Sequence, residues 1–92
     1  MSDPLAPLRD RFRARLMTDR AELDVLSQGD PRSDDLRRLV HNLAGAAGTF
    51  GFSLLSKAAI EIDDQMASGS PADAGSLDRL KQTLDEAAQS AG

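Results

Sequence analysis

The sequence contains no cysteine, tryptophan or tyrosine, and its aromatic residues are three phenylalanines. Without cysteine the chain has no disulfide, no thiolate nucleophile and no cysteine-ligated zinc. Valine and isoleucine occur only twice each, so the composition typical of β-strands is nearly absent. No apolar run approaches the roughly 18 residues of a membrane span, and the opening stretch MSDPLAPLRD lacks a signal-peptide pattern. We therefore expect an all-α, cytoplasmic protein that does not associate with membranes.

Length and charge narrow the class of protein further. With 92 residues, 40% of them hydrophobic and 28% charged, the chain is predicted to form one folded domain over residues 1–92. The net charge of −4 and the scarcity of aromatic residues argue against a nucleic-acid partner. Arginines are concentrated in the first segment, and acidic residues are concentrated after residue 60. This uneven distribution is compatible with a local basic patch that faces an acidic protein partner.

Apolar residues recur at three- and four-residue steps along the whole chain, which is typical of amphipathic helices. Asp3–Pro4 and Asp30–Pro31 each resemble an N-cap followed by proline at the first helical position. The predicted inward-facing residues are Leu5, Leu8, Phe12, Leu16, Leu23 and Leu26; Leu36, Leu39, Val40, Leu43, Ala47 and Phe50; Leu54, Leu55, Ala58, Ala59, Ile62 and Met66; and Leu77, Leu80, Leu84 and Ala87.

These segments predict an antiparallel four-helix bundle with a short extra helix, or a helix extension, at the N-terminus. Asp19 falls on the apolar stripe of the first segment and forms a capping-box pattern with Glu22, so a break near Thr18–Asp19 is expected, with a continuous helix as the alternative. That segment is predicted to end near Gln28–Gly29, the next at Gly51, and residues 68–75 to form a loop.

The single histidine, His41, lies about 140° from Leu36 on a helical wheel, so it is predicted to point away from the core. Arg37 and Arg38 lie one turn before it on the same side, and small residues lie on the other side at Ala44, Gly45 and Gly48. Glycine weakens a helix interior by about 1 kcal/mol. We interpret the glycines as a cleared surface beside an exposed imidazole, where another protein can approach. Alternatively, the glycines allow close packing of another helix, and the histidine and the arginines are only solvated surface residues.

The stretch HNLAGAAGTFGF resembles the signature of histidine-containing phosphotransfer (HPt) domains, and His41, Leu43, Gly45 and Gly51 match it residue by residue. The resemblance extends over the chain in length, helix order and the apolar pattern of LLSKAAIEIDDQM. It implies a phosphocarrier in a two-component phosphorelay rather than an ATP-dependent kinase. His41 would be the phosphoacceptor, taking a phosphoryl group from an aspartyl phosphate and passing it to another receiver.

The resemblance also implies partners and cofactors. Receiver domains of response regulators or hybrid histidine kinases would dock on a surface that includes Ala44, Gly45, Gly48 and Phe52. The protein is expected to be a monomer with no metal or cofactor of its own, and the receiver would supply Mg²⁺.

The chain departs from the family at one position, because Ala44 stands where the family commonly has a lysine. Arg37, Arg38 or Lys57 are candidates to supply the missing positive charge. A polar residue of the next helix often hydrogen-bonds the imidazole in the family, and spacing assigns that position to Asp63. The alternative for Asp63 is an ordinary solvated acid at a helix edge.

Two other functions compete with this interpretation. The phosphoacceptor helices of a histidine kinase usually have an acid directly after the histidine, whereas Asn42 follows here, and they need an ATP-binding domain that 92 residues do not hold. A non-phosphorylated adaptor would dock on receivers through the same surface, yet such a surface needs no nucleophile.

Overall fold

A computed structural model describes residues 3–90, and within that range it contains four α-helices and no β-strand. The helices are α1 (Ala6–Ser27), α2 (Asp34–Thr49), α3 (Ser53–Ala67) and α4 (Ala74–Ser90). The predicted all-α, four-helix architecture is confirmed. The predicted ends of the first two helices are also correct, because Gln28 caps α1 and α2 stops before Gly51. Gly51 has a φ of 82°, in the left-handed region that favours glycine.

Helices that follow one another along the chain pack side by side, and α4 closes the bundle against α1. The direction of α4 relative to α1 is read from two ion pairs. Arg20 meets Asp85 and Asp24 meets Lys81, so residue numbers rise along one helix while they fall along the other. Helices α2 and α3 are also antiparallel, because Ala44 contacts Ser56 and His41 contacts Asp63. The same holds for α3 and α4, where Glu61 contacts Arg79 and Gln65 contacts Ser76.

One apolar core runs through the bundle, and most of the predicted inward-facing residues lie in it. The side chains that are almost fully buried include Leu16, Leu23, Leu36, Val40, Leu43, Leu55, Ile62, Leu80 and Leu84. The arrangement follows from the three- and four-residue spacing, because each stripe covers one side of its helix. Burying one such leucine or isoleucine contributes roughly 1.5–3 kcal/mol relative to an exposed position.

Three predicted core leucines are exposed instead. Leu5 and Leu8 are 50% and 43% exposed, because α4 ends at Ser90 while Arg20 already lies opposite Asp85. The first turns of α1 therefore extend past the end of α4. Leu54 is 70% exposed because it lies at the edge of the inward face, in the first turn of α3.

Helix α1 is a single helix within the described residues. The continuous helix and the N-terminal helix extension, which the sequence left open as alternatives, are therefore correct, and the break near Thr18–Asp19 and a separate N-terminal helix are not. Asp19 is only 7% exposed, and it remains inside the helix because Arg15 Nε lies 3.4 Å from its Oδ2, one turn earlier. Burial raises the pKa of the Asp19 carboxyl, Arg15 acts in the opposite direction, and Glu22 raises it further.

Both Asp–Pro pairs form a turn that precedes the helix, so the predicted helix starts are wrong. The carbonyl oxygen of Asp30 accepts from Ser33 N at 3.0 Å, and the carbonyl oxygen of Pro31 accepts from Ala72 N of the α3–α4 loop at 2.9 Å. Helix α2 begins only at Asp34, where the side chain of Ser33 accepts from Leu36 N. Likewise, the carbonyl oxygen of Asp3 accepts from Ala6 N at 3.1 Å, and α1 begins at Ala6.

Candidate functional site

His41 lies near the middle of α2, on the side next to α3, and its side chain is 72% exposed. The residues around it in sequence determine this direction. Leu39, Val40 and Leu43 are buried and fix the inward face of α2, which turns the imidazole outward. An exposed imidazole on a helix anchored by core leucines is held on a rigid support and is accessible to another molecule.

The imidazole is oriented by a carboxylate on the neighbouring helix. His41 Nδ1 lies 3.0 Å from Asp63 Oδ2, and the Asp63 side chain is only 20% exposed. An ionised carboxylate accepts hydrogen bonds but does not donate them, so the neutral ring must carry its proton on Nδ1. This leaves the lone pair on Nε2, the nitrogen further from Asp63.

Positive charge lies on the N-terminal side of the imidazole. Asp34, Arg37, Arg38 and His41 line an open depression on the surface of α2. Arg37 Nε lies 3.6 Å from Asp63 Oδ1, whereas a guanidinium nitrogen of Arg38 lies 3.6 Å from Asp35 Oδ1. The third cationic candidate, Lys57, is exposed on α3 and has no carboxylate within 4 Å among residues 3–90.

The small residues lie on the C-terminal side of the imidazole, as the helical wheel predicts. A Cβ atom placed at Gly45 would meet no atom within 4 Å, and one at Gly48 would lie 3.5 Å from Ser56 Oγ. Ser56 Oγ itself donates to the carbonyl oxygen of Ala44 at 3.0 Å. Neither glycine is therefore required for the approach of another helix in this chain, and the close-packing alternative has no support at Gly45.

Phe52, the last predicted docking residue, is half-buried at the turn between α2 and α3. Its ring centroid lies 5.5 Å from that of Phe12, and the Phe12 ring stacks on Phe50 with centroids 4.6 Å apart. The three phenylalanines thus form one cluster at this end of the bundle. Phe52 supports α1 against this turn, and only part of it reaches the surface.

Sequence reasoning missed Ile60, which is 46% exposed on α3. It follows Ser56 by four residues and precedes Asp63 by three, so it lies in the row that faces Ala44 and His41 across the two helices. The signal was present in the sequence, because Ile60 is out of phase with Ala59, Ile62 and Met66. We refer to the exposed surface formed by His41, Ala44, Gly45, Gly48 and Ile60 as the histidine face.

None of the helices in the described part of the chain has the length and apolarity needed to cross a bilayer. In a comparison with families of known proteins, the sequence model of the Hpt domain matches residues 7–90. Searches of curated proteins and of solved structures give no significant match.

The four-helix bundle, with an exposed histidine on its second helix that contacts a carboxylate of the third, fits the class of histidine phosphocarriers. Because the match covers almost the whole chain, this protein belongs to the Hpt domain family. Members of the family are phosphocarriers rather than kinases, and the histidine phosphotransfer role in a phosphorelay applies to this chain.

Proposed function

We propose that His41 accepts a phosphoryl group from the aspartyl phosphate of one receiver domain and passes it to a second receiver. The observation that carries the proposal is the exposed imidazole whose Nδ1 lies 3.0 Å from Asp63 Oδ2. With an ionised Asp63 carboxylate, this contact favours the proton on Nδ1 and supports Nε2 as the nucleophilic nitrogen. Phosphoryl transfer depends mainly on positioning and on charge neutralisation, which a rigid helix with an oriented ring provides.

The proposed step forms one bond and breaks one. The Nε2 lone pair attacks phosphorus in line with the bond to the aspartyl oxygen of the receiver. The new N–P bond forms as the O–P bond breaks, and the receiver recovers a free carboxylate. The phosphorylated ring keeps its Nδ1 proton and gains positive charge, which the Asp63 carboxylate stabilises through the existing hydrogen bond. Transfer to the next receiver reverses these events.

In this proposal the protein supplies the nucleophile and its orientation, and the receiver supplies Mg²⁺ and most of the groups that neutralise the phosphoryl charge. Arg37, Arg38 and Lys57 are the candidates for positive charge on this side, since Ala44 occupies the position of the family lysine. No cofactor of the protein's own is required. A monomeric state, a single domain over residues 1–92 and a cytoplasmic location remain parts of the proposal.

Receivers are proposed to dock on the histidine face. The small side chains at Ala44, Gly45 and Gly48 leave the helix backbone open next to the imidazole, while Ile60 adds exposed apolar surface. Aspartyl phosphate lies close to the receiver's own backbone, so a close approach of the two chains is needed for Nε2 to reach phosphorus. The half-buried Phe52 would contribute at the edge of this contact.

Phosphoryl acceptance by His41→Gln tests the proposal directly. The wild-type protein, incubated with a phosphorylated receiver, should acquire acid-labile phosphate, and the variant should acquire none. The variant should retain the helical circular-dichroism spectrum of the wild type, because the side chain is exposed. Phosphate on the variant would contradict the assignment to His41. A wild-type protein that binds the receiver without accepting phosphate would instead be the non-phosphorylated adaptor.

A further inference from the structure

The neighbouring arginines of α2 have different partners. Arg37 reaches across to α3, where its Nε lies 3.6 Å from Asp63 Oδ1. Arg38 remains on its own helix and pairs with Asp35 one turn earlier, with both side chains more than 70% exposed. Both arginines line the depression beside His41 and carry the same charge. Only Arg37 therefore contacts the carboxylate that holds the imidazole.

The two oxygens of Asp63 have unequal surroundings. Oδ2 accepts from the imidazole, whereas Oδ1 is buried and has no hydrogen-bond partner among the described residues. The nearest cation to Oδ1 in that part of the chain is the Arg37 guanidinium. A buried carboxylate oxygen without hydrogen bonds is unfavourable, and a nearby cation compensates for part of this cost. Losing that cation would favour rotation of the carboxylate toward water.

We propose that Arg37 is a positioning residue that holds Asp63 in the orientation required by His41. Arg37 on one oxygen and His41 on the other prevent the carboxylate from turning, so the imidazole proton stays on Nδ1 and Nε2 stays free. Arg38 contributes only screened surface charge. The inference rests on the proposed function for its biological meaning, but the positioning itself is a property of the free protein.

The experiment compares Arg37→Gln with Arg38→Gln, which remove the same charge from adjacent positions of α2. Nitrogen NMR of the free protein reports which ring nitrogen of His41 carries the proton. Other charged groups near the ring are Asp34 on α2 and Asp63 on α3, and both are retained in each variant. A pure charge effect would shift the His41 titration to a similar extent in both variants, whereas a positioning effect would change the tautomer in one of them.

We expect the Nδ1–H tautomer to dominate in the wild type and in Arg38→Gln. In Arg37→Gln the ratio of Nδ1–H to Nε2–H should fall by about threefold or more, and phosphoryl acceptance should slow by about fivefold, mainly because the ring is no longer held in its attacking orientation. Arg38→Gln should leave the tautomer ratio unchanged, and any change in its transfer rate should shrink as the salt concentration rises. Equal tautomer ratios in all three proteins would overturn the proposal.

Two controls keep the outcomes separate. Arg37→Met retains the aliphatic stem and repeats the test if Arg37→Gln unfolds. If the wild type accepts no phosphoryl group, the proposed function fails, but the tautomer comparison in the free protein still decides the role of Arg37. If the wild type accepts phosphate and the tautomer is the same in all variants, the inference about Arg37 alone is wrong.

Discussion

At the scale of single residues, the chemistry of this protein depends on a contact between two helices. The imidazole is accessible to another molecule, since its side chain is 72% exposed. Asp63, by contrast, is mostly buried and approaches the ring from α3 at 3.0 Å. In the proposed mechanism the carboxylate selects the tautomer before transfer and balances the positive charge of the ring after it. We therefore propose that this contact prepares His41 for phosphoryl transfer through geometry and charge balance.

Asp63→Asn should fold normally but accept phosphoryl groups more slowly. The amide no longer carries the charge that stabilises the phosphorylated ring, and its NH₂ group can face Nδ1 and favour the wrong tautomer. A charge-assisted hydrogen bond contributes roughly 1.5–3 kcal/mol, so the rate should fall by about tenfold or more. Single-turnover transfer from a phosphorylated receiver measures it.

Glu61→Gln is the matched control for this change. It removes the same charge from the same helix, but Glu61 pairs with Arg79 of α4 rather than with His41. Its transfer rate should stay within about twofold of wild type, because exposed ion pairs contribute little. Equal rates for Asp63→Asn and the wild type would mean that Asp63 is an ordinary acid at a helix edge.

Sequence reasoning at this scale succeeded where helical phase was sufficient. The outward direction of His41 follows from three- and four-residue spacing, whereas Asp63 was identified as its partner through the family resemblance. The pairing of Arg37 with Asp63 did not follow, because it depends on how closely α2 and α3 pack. Ile60 was left out of the predicted inward-facing residues, but its place beside His41 was missed because it depends on the register between α2 and α3.

At the scale of elements, the start of α2 shows how a local signal is overridden. The Asp30–Pro31 pair was predicted to begin the helix, yet it forms a turn whose carbonyl oxygen at Pro31 accepts from Ala72 N. That long-range hydrogen bond is invisible in a local pattern. Proline is equally suited to the second position of a turn and to the first helical position, so the sequence alone did not separate them. Ser33 performs the capping instead.

Ser33→Ala should destabilise the protein by about 1 kcal/mol, the usual cost of losing a side-chain N-cap. The lost hydrogen bond is the one from Leu36 N to Ser33 Oγ, 3.0 Å long. Asp30→Ala removes only a bond within the turn, to Arg32 N, and should cost less than about 0.5 kcal/mol. Urea unfolding of both variants measures the difference in the free energy of unfolding. A larger loss of stability in Asp30→Ala than in Ser33→Ala would indicate that α2 begins at the Asp30–Pro31 pair.

Helix α1 contains a buried acid, Asp19, from which we predict how the stability of the protein depends on pH. Burial raises the pKa of the Asp19 carboxyl in the folded protein above its unfolded value of about 3.9. Between the two pKa values the folded state binds more protons, so this group's contribution to stability falls as pH rises through that window. Asp19→Asn should therefore be more stable than the wild type at neutral pH, and the gain should disappear below about pH 4.

Unfolding by urea at a series of pH values checks this expectation. Asp10→Asn is the control, because Asp10 lies on the same helix but is exposed, and its removal should change stability little at any pH. If Asp19→Asn were less stable than the wild type at neutral pH, the ion pair with Arg15 would outweigh the burial of the carboxylate.

At the scale of the whole molecule, the bundle separates a covered core from the one side that carries the proposed site. Helices α2 and α3 supply every residue of the histidine face, while α4 packs against α1 and α3 and contributes nothing to that surface. The four-helix order and the core were predictable from apolar spacing. The sequence predicted only in part which exposed residues of α2 and α3 lie side by side, because that depends on the register between the two helices.

Ile60→Ser should weaken receiver binding by about five- to tenfold, since an exposed apolar side chain in the middle of a contact is a typical anchor. Val25→Ser is the control, because Val25 is 71% exposed on α1 and lies outside the histidine face. Both variants should keep the stability of the wild type. Titration calorimetry with a receiver measures both affinities, and equal losses would show that general surface hydrophobicity, rather than this position, determines binding.

Gly45 provides the sharpest test of the cleared surface, because stability and binding should change in opposite directions. A Cβ atom at this position meets nothing within 4 Å, so Gly45→Ala should stabilise α2 by about 1 kcal/mol. Gly45→Leu should also fold, but its side chain would cover the backbone beside His41 and weaken receiver binding by about tenfold or more.

Gln82→Leu on α4 is the control for Gly45→Leu, since it adds an exposed leucine to a helix outside the histidine face and should bind receivers as the wild type does. Unfolding in urea and calorimetry on the same samples give both quantities. If Gly45→Leu bound normally, the receiver would not approach α2 closely, and the glycine would have no role in docking. If Gly45→Ala were less stable than the wild type, the position would be under a packing constraint. The two expected results are a more stable Gly45→Ala and a weaker receiver affinity of Gly45→Leu. Together they would mean that the helix gives up stability at this residue to keep His41 accessible.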